Sequence, residues 1–250
     1  MQKRGQVTVF IVIGIVIVLV AVLFWHARSQ YGVGVKTEVF LEGPLESIKS
    51  ETNDCITKIV NPLVATLAKQ GGDLDPREYR LYNSQKVKYL CLNIPNKNVC
   101  TNNLDSLAKI EQQLQQRLQT ELLTCIPKSL LESKKGYNIK YTDPKVEVKL
   151  GEEDVYITVD FPLTISKEGL TQNLQKTTKI IKGVPLGKLY EHVYSIVEAH
   201  ASKGEFFQLP YMLSKKGEVE IQVDKPYPDI VYILNLKNSD FKFYFAIQEE

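Results

Sequence analysis

The chain has 250 residues, with 31 Lys and Arg against 29 Asp and Glu and a net charge of +2 at pH 7. So even a balance excludes recruitment to nucleic acid or to an acidic surface by overall charge, and no nucleic-acid partner is expected. Hydrophobic residues make up 44 % of the chain, which supports one sizeable core or two small domains.

The first element decides the architecture. Val7 to Trp25 is apolar apart from Thr8 and Gly14, and no charge lies between Arg4 and Arg28. At about 1.5 Å per residue a helix of this length reaches about 28 Å, the thickness of a bilayer's hydrocarbon core. A globular helix keeps a polar stripe for water and a strand is far shorter, so the run predicts a transmembrane helix over 7–25. A removable secretory signal needs a shorter apolar core with small residues before its cut, and Leu23-Phe24-Trp25-His26-Ala27 offers none. Lys3 and Arg4 ahead of the span, against Arg28 and Lys36 after it, favour a cytoplasmic leader over residues 1–6. Lys3, Arg4, Trp25 and Arg28 are then the membrane-interface residues, with the lipid bilayer as the first partner. All four cysteines, Cys55, Cys91, Cys100 and Cys125, lie beyond the span. Their even number suits two disulfides in an oxidising space, which places the main domain outside the cell membrane.

The start, Lys3-Arg4-Gly5-Gln6-Val7-Thr8-Val9-Phe10, resembles the class III signal peptide of archaeal type IV pilin-like proteins, in which a prepilin peptidase cuts between Gly and Gln. The resemblance covers about the first thirty residues and implies that Gly5 and Gln6 flank the processing site. Such a cut leaves the helix attached, as an anchor or for packing with copies of itself. Phe10 stands where the family has an acidic residue, and Gly14 where it has a Leu. Without that carboxylate a buried terminal amine would lack its partner, at a cost of several kcal/mol; this points to an anchored monomer or minor pilin-like protein instead of a fibre. The arrangement of this start before a Cys-bearing ectodomain also resembles surface proteins of small-genome archaea, which implies no activity.

Residues 26–44, with Gly32, Gly34, Gly43 and Pro44, read as a linker. Leu45 to Gln70 places Ile48, Cys55, Ile59, Leu63 and Leu67 at helical spacing, with Pro62 expected to kink or divide the helix and Gly71-Gly72 to end it. Tyr79 to Tyr82 and Lys86 to Leu92 predict two short strands around Asn83-Ser84-Gln85, followed by a polar loop from Pro95 to Asn103. Leu107, Ile110, Leu114, Leu118, Leu122 and Cys125 form one apolar stripe with a polar opposite face. The stripe lasts under three heptads, so a helix packed on its own domain is preferred to a coiled coil. Packing the two helices stripe to stripe brings Cys55 within disulfide range of Cys125 and leaves Cys91 and Cys100 to close a local loop; four cysteines allow two other pairings.

From Tyr137 the period becomes two. Tyr137 to Tyr141, Lys145 to Leu150 and Val155 to Ile165 predict an antiparallel meander, with Pro162 marking an edge or a bulge. A further strand is expected over Asn173 to Lys182. A helix follows over about 186–202, carried by Leu186, Leu189, Tyr190, Val193, Val197 and His200 and stopped by Gly204. Strands over Val219 to Val223, Ile230 to Leu236 and Phe241 to Ile247 finish the chain, the last two joined at Lys237-Asn238-Ser239-Asp240. No internal repeat is visible. The fold class is α+β: a transmembrane helix, a helical Cys-bearing part over 45–135 and an antiparallel β-rich part over 136–250.

No motif in this chain carries chemistry. The cysteine spacing lacks the close pairs of a zinc site, Glu191-His192 lacks the second His of H-E-x-x-H, and there is no G-x-S-x-G, phosphate loop or dinucleotide fingerprint. No catalytic, metal or cofactor residue is assigned. The eight aromatics Phe206, Phe207, Tyr211, Tyr227, Tyr232, Phe243, Tyr244 and Phe245 read better as cross-strand packing than as a glycan or partner surface. The apolar loop Phe206 to Leu213 closes the core edge or docks on the membrane or a partner, with the former preferred. The reading that follows is a structural or binding protein of the cell envelope, with envelope or pilus-like partners and no enzymatic activity. Its rival is an anchored hydrolase, for which His192, Glu198 and His200 would converge on a pocket. A ligand-binding sensor is weakened by a cytoplasmic tail of about six residues.

Overall fold

The computed structural model describes residues 13–23, 25–26, 39–125, 136–174 and 176–249. Lys3, Arg4, Gly5, Gln6 and Arg28 lie outside them, as do 7–12 and Phe24 of the expected span and 27–38 of the expected linker. Residues 13–23 and 25–26 are helical and exposed. Among the described residues no helix is both long and apolar enough to cross a membrane.

Helix α1, Val39–Lys69, starts inside the expected linker, so residues 39–44 are helical. It runs through Pro62 undivided, which corrects the expected break. Pro62 is exposed, and the buried stripe of Ile48, Ile56, Ile59, Val60, Val64 and Leu67 continues past it; packing on both sides outweighs the one backbone bond that proline forgoes. Gly72 N–H closes the helix on the Leu67 carbonyl at 2.8 Å. Strands β1, Tyr79–Tyr82, and β2, Gln85–Asn93, form a hairpin whose two loop residues, Asn83 and Ser84, both have positive φ (48° and 62°). These angles match the right-handed twist of the flanking strands. The polar loop after β2 contains a strand, β3, Cys100–Asn102, paired back on β2. Ser106 then caps α2, Leu107–Cys125, through the Lys109 N–H at 3.3 Å. The α2 stripe of Ile110, Leu114, Leu118 and Leu122 is buried against α1 and the strand Lys145–Leu150, each side chain worth roughly 1.5–3 kcal/mol of burial. Disulfides join Cys55 to Cys125 across the two helices, Cα to Cα 6.0 Å, and Cys91 to Cys100 between β2 and β3, Cα to Cα 5.4 Å.

The expected meander is not what forms. Val155–Asp160 (β6) and Leu163–Lys167 (β7) are separate strands in separate sheets. Pro162, which has no N–H to give a ladder, sits in the joint, and its carbonyl accepts from Thr142 N–H at 3.1 Å. One three-stranded sheet is β5 (Lys145–Leu150), β6 and β9 (Thr177–Ile181); the other is β4 (Asn138–Tyr141), β7 and β8 (Leu170–Asn173). Pro162 therefore joins two central strands and marks neither an edge nor a bulge. The strand expected over 173–182 forms as β9, shorter than expected, and only Asn173 of that stretch belongs to another strand, the end of β8.

The six-stranded sheet runs β1-β2-β12-β11-β10, with β3 on β2; β10 is Val219–Asp224, β11 Ile230–Leu236 and β12 Phe243–Ile247. Its β12–β2 pair is parallel, so the sheet is mixed where only antiparallel pairing was expected. It also unites strands from both sides of the expected boundary near residue 135. Helix α3, Leu186–Lys203, lies across β2, β3, β11 and β12, over a face made by Ile230, Tyr232, Leu234, Phe243, Phe245 and Ile247. On the opposite face Val87, Val231, Ile233 and Ala246 are buried beneath Tyr82, Tyr89 and Tyr244.

Candidate functional site

Helix α3 is seated by a glycine at each end. A Cβ on Gly187 would stand 2.5 Å from the Gly151 carbonyl oxygen, which accepts the Gly187 N–H at 3.0 Å. Gly204, at φ 78°, caps the C-terminus on the His200 carbonyl and packs on Asn98 where a side chain would clash. Between them His192 and His200 stand two turns apart on the buried face, each 4 % exposed.

Each histidine meets a tyrosine from another element. His192 Nδ1 is 2.9 Å from the Tyr211 hydroxyl, on the short helix α4, Gln208–Ser214. His200 Nε2 is 2.8 Å from the Tyr232 hydroxyl on β11. Phe206 bridges the pairs, its ring centroid 5.2 Å from Tyr211 and 6.1 Å from Tyr232, and Tyr232 stacks on Phe245 at 5.1 Å. The result is a continuous aromatic row beneath α3. At its His200 end the row reaches a cleft of about 230 Å³, lined also by Asn93, Lys97, Asn98, Cys100 and Gln248. At the other end His192 Nε2 is buried without a hydrogen-bond partner among the described residues.

Burial pushes both imidazoles below their ordinary pKa of 6.5 and pushes the Tyr232 hydroxyl up. Near neutral pH the row thus holds neutral imidazoles, that of His200 hydrogen-bonded to the protonated Tyr232 phenol. Such pairs fix side chains in place. The thiol that lines the cleft, that of Cys100, is bonded to Cys91 and is not available as a nucleophile. Glu198 is exposed and does not join His192 and His200, so the three do not converge on one pocket; only His200 lines the cleft. Among the described residues no group of three His, Cys, Asp or Glu could hold a metal ion.

Since both folded-state pKa values are depressed, stability is full above about pH 6.5 and falls as pH drops through that value, because the unfolded chain takes up protons the folded one refuses. Replacing His200 with Phe is expected to flatten this limb by up to about 1.4 kcal/mol per pH unit, read as the pH dependence of urea unfolding between pH 5 and 7. An unchanged slope would show that the ring does not stay neutral in the fold.

Two further polar clusters flank the site. Lys88, buried, contacts Asp73 at 3.1 Å and Asp105 at 2.5 Å, and Asp105 also holds Lys109 at 2.5 Å. Burial raises the Asp105 carboxyl, but the hydrogen bonds from Lys109 and Lys88 outweigh it and hold it below its usual range. On the opposite sheet face buried Asp229 accepts from the Tyr89 hydroxyl at 2.7 Å and pairs with Arg80 at 3.2 Å; burial and the neighbouring carboxylate push the Tyr89 hydroxyl up to about 12.

Of the residues singled out from the sequence, the four cysteines are paired and Trp25 is exposed. The region from Phe206 to Leu213, expected as a loop, is largely helix α4, since Tyr211 and Met212 pack on the core while Gln208 bonds the Ile221 carbonyl. Tyr211 and Tyr232 as histidine partners were not legible: each pair spans 19 or 32 positions, and only β11 lying under α3 brings the second together. No protein-family model matches the chain, and no curated protein or solved structure does either.

Proposed function

We propose that this chain is a single-pass cell-membrane protein, cytoplasmic at its first residues, whose disulfide-stapled α+β domain does structural or binding work on the outer side of the envelope, with a pilin-like leader processed between Gly5 and Gln6. The observation that carries the reading is the leader helix. Between Ile13 and Leu23 its large apolar residues are 50–66 % exposed, and Trp25 is 81 % exposed. An apolar surface of that kind is stable in lipid and costly in water. The two disulfides support an extracellular setting.

Two experiments test it. The full-length chain is expected in the membrane fraction and in detergent extracts only, while deletion of residues 1–30 releases a soluble domain whose disulfides map to Cys55–Cys125 and Cys91–Cys100. A full-length chain soluble without detergent, or four free thiols after expression in an oxidising compartment, would sink the proposal. Mass spectrometry of the mature N-terminus is expected to read Gln6; an intact Met1 would replace pilin-type processing with a plain signal anchor.

A further inference from the structure

Helix α4 is apolar on both sides. Tyr211 and Met212, with Phe206 just ahead, turn to the core. The other side presents Leu209 and Leu213, one turn apart, 62 % and 70 % exposed, with Phe207 at the N-cap 63 % exposed and Pro210 exposed between them. A surface helix ordinarily shows water its polar face; here the first polar outward residues are Ser214, Lys215 and Lys216, all exposed. The next acid along the chain, Glu218, is already held by Lys188, so the rim beyond the apolar side is basic, with Glu205 exposed at the opposite end.

Resting on the anchored reading above, we propose that this side of α4 is a membrane-surface foot. Phe207, Leu209 and Leu213 enter the outer leaflet of the bilayer that holds the leader helix, and Lys215 and Lys216 meet its anionic headgroups. Apolar residues flanked by lysines are the composition that seats an amphipathic segment in the headgroup region. The tether selects this bilayer over a diffusing partner. Three side chains make a weak attachment to anything free in solution, but residues 27–38, twelve positions, span at most about 40 Å. They therefore present the bilayer to the domain as an intramolecular surface at high effective concentration. The His192–Tyr211 bond and the Gln208 bond to the Ile221 carbonyl hold α4 in place, so docking needs little ordering of the helix.

The test is amide hydrogen exchange of residues 208–216 in the full-length chain, reconstituted one copy per nanodisc. In discs of phosphatidylcholine with phosphatidylglycerol, exchange is expected to be about tenfold slower than in the Leu209→Asp, Leu213→Asp double variant in the same discs. The Lys215→Glu, Lys216→Glu variant should lose that protection. Both pairs are exposed, and matching thermal unfolding checks that the variants fold. Equal exchange in wild type and the Asp variant overturns the foot, as does protection that appears only with two copies per disc, which would assign the face to a second chain. A wild-type chain that does not stay with the disc, judged by co-elution, overturns the anchored reading itself and the foot with it.

Discussion

Replacing both Cys55 and Cys125 with Ala is expected to lower stability by about 4 kcal/mol, against about 2.5 kcal/mol for replacing Cys91 and Cys100. The difference follows from loop length. The first bridge closes a separation of 70 residues and the second only 9, so the first removes more freedom from the unfolded chain. It also ties α1, the helix nearest the leader in sequence, to the far end of α2. Urea unfolding of the chain lacking residues 1–30, without reductant, reads the two losses directly. Equal losses, or a larger one at Cys91 and Cys100, would show that chain closure is not what the long bridge contributes.

Replacing Lys88 with Ala is expected to cost roughly 3–5 kcal/mol, the range for removing one partner of a buried ion pair. Lys88 is the shared cation of Asp73 and Asp105, its side chain 8 % exposed and theirs 20 % and 11 %. Without it Asp105 keeps only the surface partner Lys109. The cluster joins the turn after α1, strand β2 and the start of α2, so the loss should appear as cooperative destabilisation and not as local fraying. Replacing Lys88 with Met and Asp105 with Leu together is expected to recover most of it, since a packed apolar pair needs no desolvation of charge. Should the single change cost under about 1 kcal/mol, the exposed-pair range, the cluster would have to be solvated in solution. Because the Asp105 carboxyl is held below its ordinary value of 3.8, its contribution is present above that pH and is lost as pH falls further through the folded value. The histidine limb begins higher, near pH 6.5, so acid should weaken the domain in two separable stages.

Helices α2 and α3 were legible because each is decided by neighbours three and four positions away, whereas the short α4 was read as a loop. Leu107 to Cys125 needs only its own stripe and the Ser106 cap, and Leu186 to His200 needs only its spacing and Gly204. The β1–β2 hairpin is equally local, resting on two residues that tolerate positive φ. The cysteines were legible to the same depth: Cys55 and Cys125 stand on the stripes of two helices that the structure packs together. The candidate site was half legible. The two histidines could be placed on one helix, but the tyrosines they bond could not be chosen among thirteen.

What the sequence determined by itself was the character of each segment: an apolar leader, amphipathic helices, alternating strands, and cysteines confined to the part beyond the leader. What only the tertiary structure decided was which segments meet. Alternation tells which face of β6 or β7 is buried, yet carries no trace of the sheet each joins once Pro162 parts them. Nor does it reveal that β12 returns to run parallel with β2, more than 150 positions earlier. Strand pairing is made by backbone groups that every residue carries alike, so the choice of partner falls to the shape of the whole core, and that choice placed Tyr232 under His200 and turned one apolar side of α4 outward.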